Sequence, residues 1–341
     1  MLNVCVIGCG RAGMIHARSY AGAVTGARLA ALCDPDEEAR TRAGAELGVG
    51  RLYASWEDAL ADDDIDAVVV VTPTGLHRDI VVAAAAAGKH VFCEKPMASS
   101  EAECDEMIDA CAAAGVKLQL GFMRRFDESL QHAHEAVLAG EIGDVVLVKS
   151  LTHGPSKPKE WMFDVRKSYG PIGEVSSHDF DELRWFAGSE VASVYAIGGN
   201  FRSPEVAEAW PEWYDSFAMT LSFADGKLGM VDGAQYVQYG YDARLEVLGT
   251  KGSILVGRQP RESYAIARAD GTVVRPMNNS WSYLFREAYV REAQAFADCI
   301  AADTEPLVTG HDGKMAVRLV QMGLTSLLEK RVVFDSEVSG A

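Results

Sequence analysis

The sequence predicts an α/β protein: a doubly wound parallel sheet, followed by an α+β domain with a large, mainly antiparallel open sheet. Three observations predict this. Gly8-Cys9-Gly10-Arg11-Ala12-Gly13 stands between an apolar run and a helical one. Ala67–Val71 is a continuous β-branched run, as strands buried on both faces of a parallel sheet require, and it alternates with helical stretches. From Phe126 onward, strand-like runs separated by glycine turns replace that alternation. The boundary is placed at 1–122 against 123–341, with the closing helices able to pack back on the first domain.

Leu2–Gly8 reads as the first strand and Met14–Ala23 as a helix. The three glycines allow a tight turn, close approach of backbone to a pyrophosphate, and close packing of helix on strand. The helix start offers unpaired N–H groups to phosphates. Gly8, Gly10, Arg11, Ala12, Gly13 and Met14 are therefore candidate cofactor contacts in a Rossmann-type domain. A second run, Arg28–Cys33, ends at Asp34, 21 residues beyond Gly13. A carboxylate there accepts hydrogen bonds from ribose hydroxyls and repels a 2′-phosphate, and Pro35-Asp36-Glu37 adds only acid, so NAD is expected over NADP. The alternative is that Asp34 caps the next helix.

Glu37–Leu47 and Trp56–Ala61 read as helices. After Ala67–Val71 come the turn Thr72-Pro73-Thr74-Gly75-Leu76-His77 and an alanine-rich helix to Gly88. Val91-Phe92-Cys93-Glu94-Lys95-Pro96 is a strand ending on an ion-capable pair and a proline, which biases Lys95 towards extended backbone and permits a cis bond. Ligands in open α/β sheets bind beyond strand carboxyl ends, so both turns should line one crevice. Thr72, Pro73, His77, Glu94 and Lys95 join the candidate cofactor contacts; a loop cap is the alternative for Thr72 and His77, a solvated surface side chain for Lys95. Glu101–Ala114 is a helix capped by Ser99 or Ser100 and stopped at Gly115, and Lys117–Gly121 is the closing strand.

In the second half a helix at Asp127–Ala139 precedes a strand at Asp144–Leu151 and a loop rich in Gly, Pro and Lys through Gly173. Strands are expected at Ala192–Gly199, Ser216–Phe223, Gly226–Tyr236, Ala243–Gly249 and Gly252–Val256. A helix near Glu174–Phe186 sets Glu174 and His178 four apart, on one face, where the carboxylate can orient the imidazole. Histidine is suited to moving a proton near neutral pH. The alternative is an acidic helix face with an ordinary histidine; with no second histidine at ligand spacing, no metal is expected. Trp281–Ala301 and Gly313–Leu328 read as closing helices. Phe285, Tyr289 and Phe296 recur there at helical intervals as core residues, and Tyr289 is also a candidate cofactor contact.

Of the 341 residues, 49 are acidic and 32 basic, a net charge of -17 without a dense Lys/Arg tract, so nucleic acid and anionic membranes are not expected partners. A hydrophobic content of 48% with 24% charged residues excludes a disordered chain. The seven cysteines form no CxxC pair, which predicts reduced thiols and a cytoplasmic protein. No basic and apolar leader opens the chain, and the apolar tracts fall short of the roughly 20 residues of a membrane span.

Together Gly8–Gly13, Glu94-Lys95-Pro96, Gly121-Phe122-Met123-Arg124-Arg125-Phe126-Asp127, His178-Asp179-Phe180-Asp181 and Tyr239-Gly240-Tyr241-Asp242 resemble the Gfo/Idh/MocA oxidoreductases, and among them the inositol 2-dehydrogenases. The resemblance implies an NAD-dependent enzyme that transfers hydride from a secondary hydroxyl of a cyclic polyol or sugar, assembled as a homodimer or homotetramer through its open sheet. It implies that Lys95 orients the hydroxyl, that His178 takes its proton, and that Arg124, Asp179, His153 and Tyr239 line the sugar pocket. The chain departs from similar inositol dehydrogenases in carrying Glu174 in place of aspartate, and in the spacing of Gly170-Pro171-Ile172-Gly173. Another pyranose or glycoside is therefore the second expectation, and a non-catalytic dinucleotide-binding regulator the third.

Overall fold

The computed structural model describes residues 1–257 and 265–338. The chain divides into two compact units, Met1–Asp127 with Arg286–Val317, and Glu128–Phe285 with Arg318–Ala341. The stretch Arg286–Val317 thus belongs with the first unit although 123–341 was assigned to the second from sequence.

The first unit opens with β1 (Leu2–Ile7), α1 (Arg11–Gly22), β2 (Ala27–Cys33), α2 (Glu37–Leu47), β3 (Leu52–Tyr53), α3 (Trp56–Leu60), β4 (Ala67–Val70), α4 (His77–Ala86), β5 (His90–Glu94), α5 (Glu101–Ala114) and β6 (Leu118–Gly121). The strands form one sheet in the order β3-β2-β1-β4-β5-β6, with every pair parallel. Its order reverses at β1, so the turns after β1 and β4 bound a switch-point crevice. Strand alternation feeds two cores: Val4, Val6, Val69 and Phe92 pack on one face, Cys5, Ile7, Val68, Val70 and Cys93 on the other. That is why these runs lack polar residues; each fully buried Val or Phe side chain contributes roughly 1.5–3 kcal/mol. The cysteines act here as small hydrophobes, all seven being buried thiols. Asp36 caps α2 by accepting from the N–H groups of Glu38 and Ala39, and Ser100 caps α5.

The second unit holds α6 (Glu128–Leu138), β7 (Val145–Gly154), α7 (Val165–Ser168), α8 (Gly170–Glu174), α9 (Ser177–Ala187), β8 (Val191–Gly199), β9 (Ser216–Phe223), β10 (Leu228–Gln235), β11 (Asp242–Gly249), β12 (Ser253–Gly257), the small hairpin β13 (Ile266–Ala267) and β14 (Val273–Val274), and α10 (Trp281–Leu284). There follow α11 (Arg286–Ala302), α12 (Gly310–Glu329), β15 (Val333–Phe334) and α13 (Asp335–Val338). Its sheet runs β12-β11-β7-β10-β9-β8-β15; β7 and β10 are parallel and the other pairs antiparallel. Phe217, Met219, Leu221 and Phe223 of β9 are buried, while its alternate residues are not.

Three expectations are corrected. The Gly- and Pro-rich loop contains α7 and α8, separated by Tyr169 at φ 57, and Pro171 lies in the first turn of α8, where its missing N–H costs nothing. The helix expected over Glu174–Phe186 is two: α8 ends at Glu174, and α9 starts at Ser177 after Ser176 leaves helical geometry at φ -100, ψ 7. Likewise Trp281–Ala301 breaks at Phe285 (φ -104, ψ 22). Among the described residues no helix is long and apolar enough to cross a membrane.

Candidate active site

The glycine turn is built as a cradle. Gly8 has φ 105, and a Cβ there would stand 2.5 Å from the Val71 carbonyl oxygen. At Gly13 a Cβ would run into the carbonyl of Gly8, so helix and turn approach only because both are glycine. Gly10, the N-cap of α1, provides no side-chain cap, and a Cβ there would meet nothing within 4 Å. The first N–H groups of α1, at Ala12 and beyond, thus point out of a turn that no side chain caps, the fit a dinucleotide pyrophosphate needs. Met14 packs beneath, against the core.

Asp34 fixes this turn. Its Oδ2 accepts the Cys9 N–H at 2.7 Å and its Oδ1 accepts the Asp36 N–H at 2.9 Å. A carboxylate has about four acceptor sites, so capacity remains for ribose hydroxyls. The alternative role as cap of α2 falls to Asp36. Arg40 donates to the Pro35 carbonyl at 3.1 Å, committing its guanidinium beside the loop.

Beyond β4, the Thr72 Oγ1 is buried without a hydrogen-bond partner among the described residues, fitting a ligand contact next to Pro73. His77 has another role. It is 1% exposed, its Nε2 lies 2.9 Å from the Thr72 carbonyl and its Nδ1 2.9 Å from that of Pro96. It therefore clips the two turns together from inside instead of facing a cofactor, and burial pushes its pKa down.

Glu94 also turns inward: Oε1 pairs with His16 Nε2 at 2.9 Å and Oε2 accepts the Lys95 N–H at 2.9 Å. Lys95 itself is half-buried, before a cis bond to Pro96. Arg124 is 1% exposed in the 3-10 turn Met123–Phe126, beside Arg125, which pairs with Asp312 at 2.9 Å. Tyr289 of α11 is buried edge-on to His16, centroids 5.4 Å apart, and so serves the core.

In the second unit His178 is buried in the first turn of α9, and Glu174, half-buried, closes α8. The two residues therefore lie on different helices, not on one helix face. Asp179 is fully buried and accepts hydrogen bonds from Ser150 and Thr152, each at 2.7 Å, which fasten α9 to β7. Alternation along β7 carries His153 to the opposite face. There it bonds Tyr239 through Nδ1 and Asp232 through Nε2, with Arg244 and Asp242 paired nearby. Asp179 and His153 thus stand on different faces of one sheet. Burial and the Asp242 charge raise the pKa of Tyr239. Sequence reading missed Asp232, Ser150 and Thr152. Period-2 alternation of β7 was the signal that pairs the two hydroxyls and excludes His153.

Comparison with known proteins decides the family. Residues 2–122 match the model of an oxidoreductase family with an NAD-binding Rossmann fold, and residues 134–334 match its C-terminal alpha/beta domain. The chain belongs to the Gfo/Idh/MocA oxidoreductase family. Within that family it is 34% identical to a myo-inositol 2-dehydrogenase of Thermotoga maritima, covering 99% of this chain and 100% of the relative. It is 33% identical to an inositol 2-dehydrogenase of Rhizobium meliloti, over 96% and 97% of the two chains. The scyllo-inositol dehydrogenase of Lactobacillus casei, solved with NAD(H) and scyllo-inositol, superposes with a TM-score of 0.90 at 28% identity, covering 98% of this chain and 99% of that one.

Proposed function

We propose that this chain is an NAD-dependent oxidoreductase that transfers hydride between a secondary hydroxyl of a cyclic, inositol-like polyol and nicotinamide. The observation that carries the reading is the Gly8–Gly13 cradle anchored by Asp34, in a chain that matches inositol dehydrogenases over nearly its whole length. Bound NAD supplies the hydride acceptor.

The other roles fall to side chains. His178 takes the hydroxyl proton as general base, and Lys95 orients the hydroxyl and stabilises the oxyanion as it develops. The Glu94 carboxylate holds the Lys95 backbone N–H and so sets the turn that carries the ammonium. Glu174 tunes the imidazole, Arg124 contacts the polyol, and Asp179 fixes α9 on β7.

Copies associate, in this proposal, as a homodimer or homotetramer through the exposed face of the second sheet, where Ile197, Leu228, Met230 and Leu255 are open. The protein works in the cytoplasm, where its thiols stay reduced.

A second reading, oxidation of another pyranose or glycoside, is favoured by one feature: Glu174 stands where similar inositol dehydrogenases carry aspartate. A panel of inositols, pyranoses, glycosides and linear alcohols with NAD, followed at the NADH absorbance band, separates the two. Turnover of inositols above all others is expected. Turnover of linear alcohols alone would reject both.

A further inference from the structure

The Glu94 carboxylate backs onto a polar interior of the first unit. β5 pairs with β6 so that Phe92 stands beside Gln119 and Glu94 beside Gly121, which puts all four on one sheet face. A Cβ at Gly121 would lie 3.0 Å from the Glu94 carboxyl carbon, so glycine makes room for that side chain. From α1, His16 reaches Glu94 Oε1 and rests on Phe92, centroids 4.9 Å apart.

α11 covers the same face. Tyr289 meets His16, and Phe296 meets Phe92 at 5.9 Å, which places Glu292, three residues after one and four before the other, over Gln119 and Glu94. Glu292 is 0% exposed, and neither carboxylate oxygen has a hydrogen-bond partner among the described residues. Gln119 is equally buried; its Nε2 donates to the Glu292 backbone carbonyl at 3.1 Å, and its Oε1 has no partner there either.

Three buried acceptor oxygens of this interior therefore lack a donor among the described residues. Burial and the charge of Glu94 push the Glu292 carboxyl well above the usual carboxylate range. The other titratable groups around it do not relieve it. Tyr20 of α1 directs its hydroxyl to the Ala293 carbonyl, Cys299 of α11 keeps its thiol, and His16 is taken by Glu94. One proton and one water close the count. A protonated Glu292 carboxyl would have Glu94 as its acceptor, and a water would serve the remaining Glu292 oxygen and Gln119 Oε1.

We infer that Glu292 carries a proton in the working enzyme and braces Glu94 behind Lys95, which makes it a positioning residue for the Lys95 turn. The inference deepens the proposed function and rests on it for the role of Lys95.

The test uses the full-length enzyme as wild type, Glu292→Gln and Glu292→Leu. Infrared difference spectra at neutral pH should show the carbonyl stretch of a protonated carboxylic acid in the wild type and its loss in Glu292→Gln. Absence of that band overturns the inference whether or not a polyol is oxidised. Acetic anhydride labelling of Lys95 across pH, read by peptide mass spectrometry, should shift its midpoint in Glu292→Leu but not in Glu292→Gln, which keeps a donor in place. With inositol and NAD, Glu292→Leu should lower kcat by about 10²-fold, as expected for a misplaced group, with rescue by Glu292→Gln and unchanged NAD affinity. Unshifted labelling in both variants overturns the positioning role. A wild type inactive on every polyol, but with band and labelling shift intact, rejects the proposed substrate class and leaves the brace standing.

Discussion

Glu174 is the last residue of α8 and His178 the second of α9, with Val175 and Ser176 between them outside either helix. Their relation is therefore set by the geometry of the break and not by the face of a single helix. His178→Ala should therefore lower kcat by about 10²–10⁴, the usual contribution of a positioned base. Glu174→Gln should cost no more than about tenfold, roughly one hydrogen bond. Steady-state kinetics on both variants checks the ranking, and equal losses would contradict it.

His77 joins the Thr72 and Pro96 turns through both ring nitrogens. His77→Leu keeps the bulk and takes away the one N–H that the neutral ring donates to a turn carbonyl. Stability should fall by about 1–3 kcal/mol in denaturant titrations, and NAD affinity by about tenfold in calorimetry, one and a half kcal/mol or so of misplaced turn.

Asp179 holds two buried hydroxyls at once. Asp179→Ala removes one carboxylate acceptor from both, Ser150 keeping Glu182, and leaves a void, with an expected loss of about 1–3 kcal/mol in urea unfolding. NAD binding, which belongs to the first unit, should be unchanged in fluorescence titrations.

The fold was legible where pattern and packing agree. Val4–Ile7 and Ala67–Val70 read as strands because both faces of the parallel sheet are covered, and β9 because one face is not. Glu37–Leu47 and Glu101–Ala114 were marked by Asp36, Ser100 and Gly115 at their ends. The short helices α7 and α8 were hidden beneath Gly and Pro, since four or five residues carry no period. The candidate site was less legible. Sequence shows that His77, Glu94 and Glu292 are polar, not that they point inward. Polarity suggests solvent, and only the packing of α1 and α11 on the sheet turns Glu94 and Glu292 to the interior. The separation of Asp179 from His153 follows from one step of strand alternation, which a list of residue types does not contain.

Glu292 also gives stability a pH dependence of known sign. Its pKa is raised in the folded protein, so the native state keeps a proton that the unfolded chain loses above about pH 4. The folded state is favoured by that proton below the unfolded value and loses stability as pH rises towards the folded one, by up to about 1.4 kcal/mol per unit. Glu292→Gln removes the titration. The variant should gain on wild type steadily from about pH 5 upward in thermal melts. A gap between the two that does not change with pH would mean that Glu292 is already ionised.

The central claim is direct hydride transfer from a carbinol carbon to the nicotinamide. Inositol carrying deuterium on the reacting carbon, incubated with the enzyme and NAD, tests it most directly by mass spectrometry of the NADH formed. The account predicts NADH labelled with one deuterium per turnover, with a slowed rate in the His178→Ala variant and the same label. Unlabelled NADH, with the deuterium released to water, would contradict it.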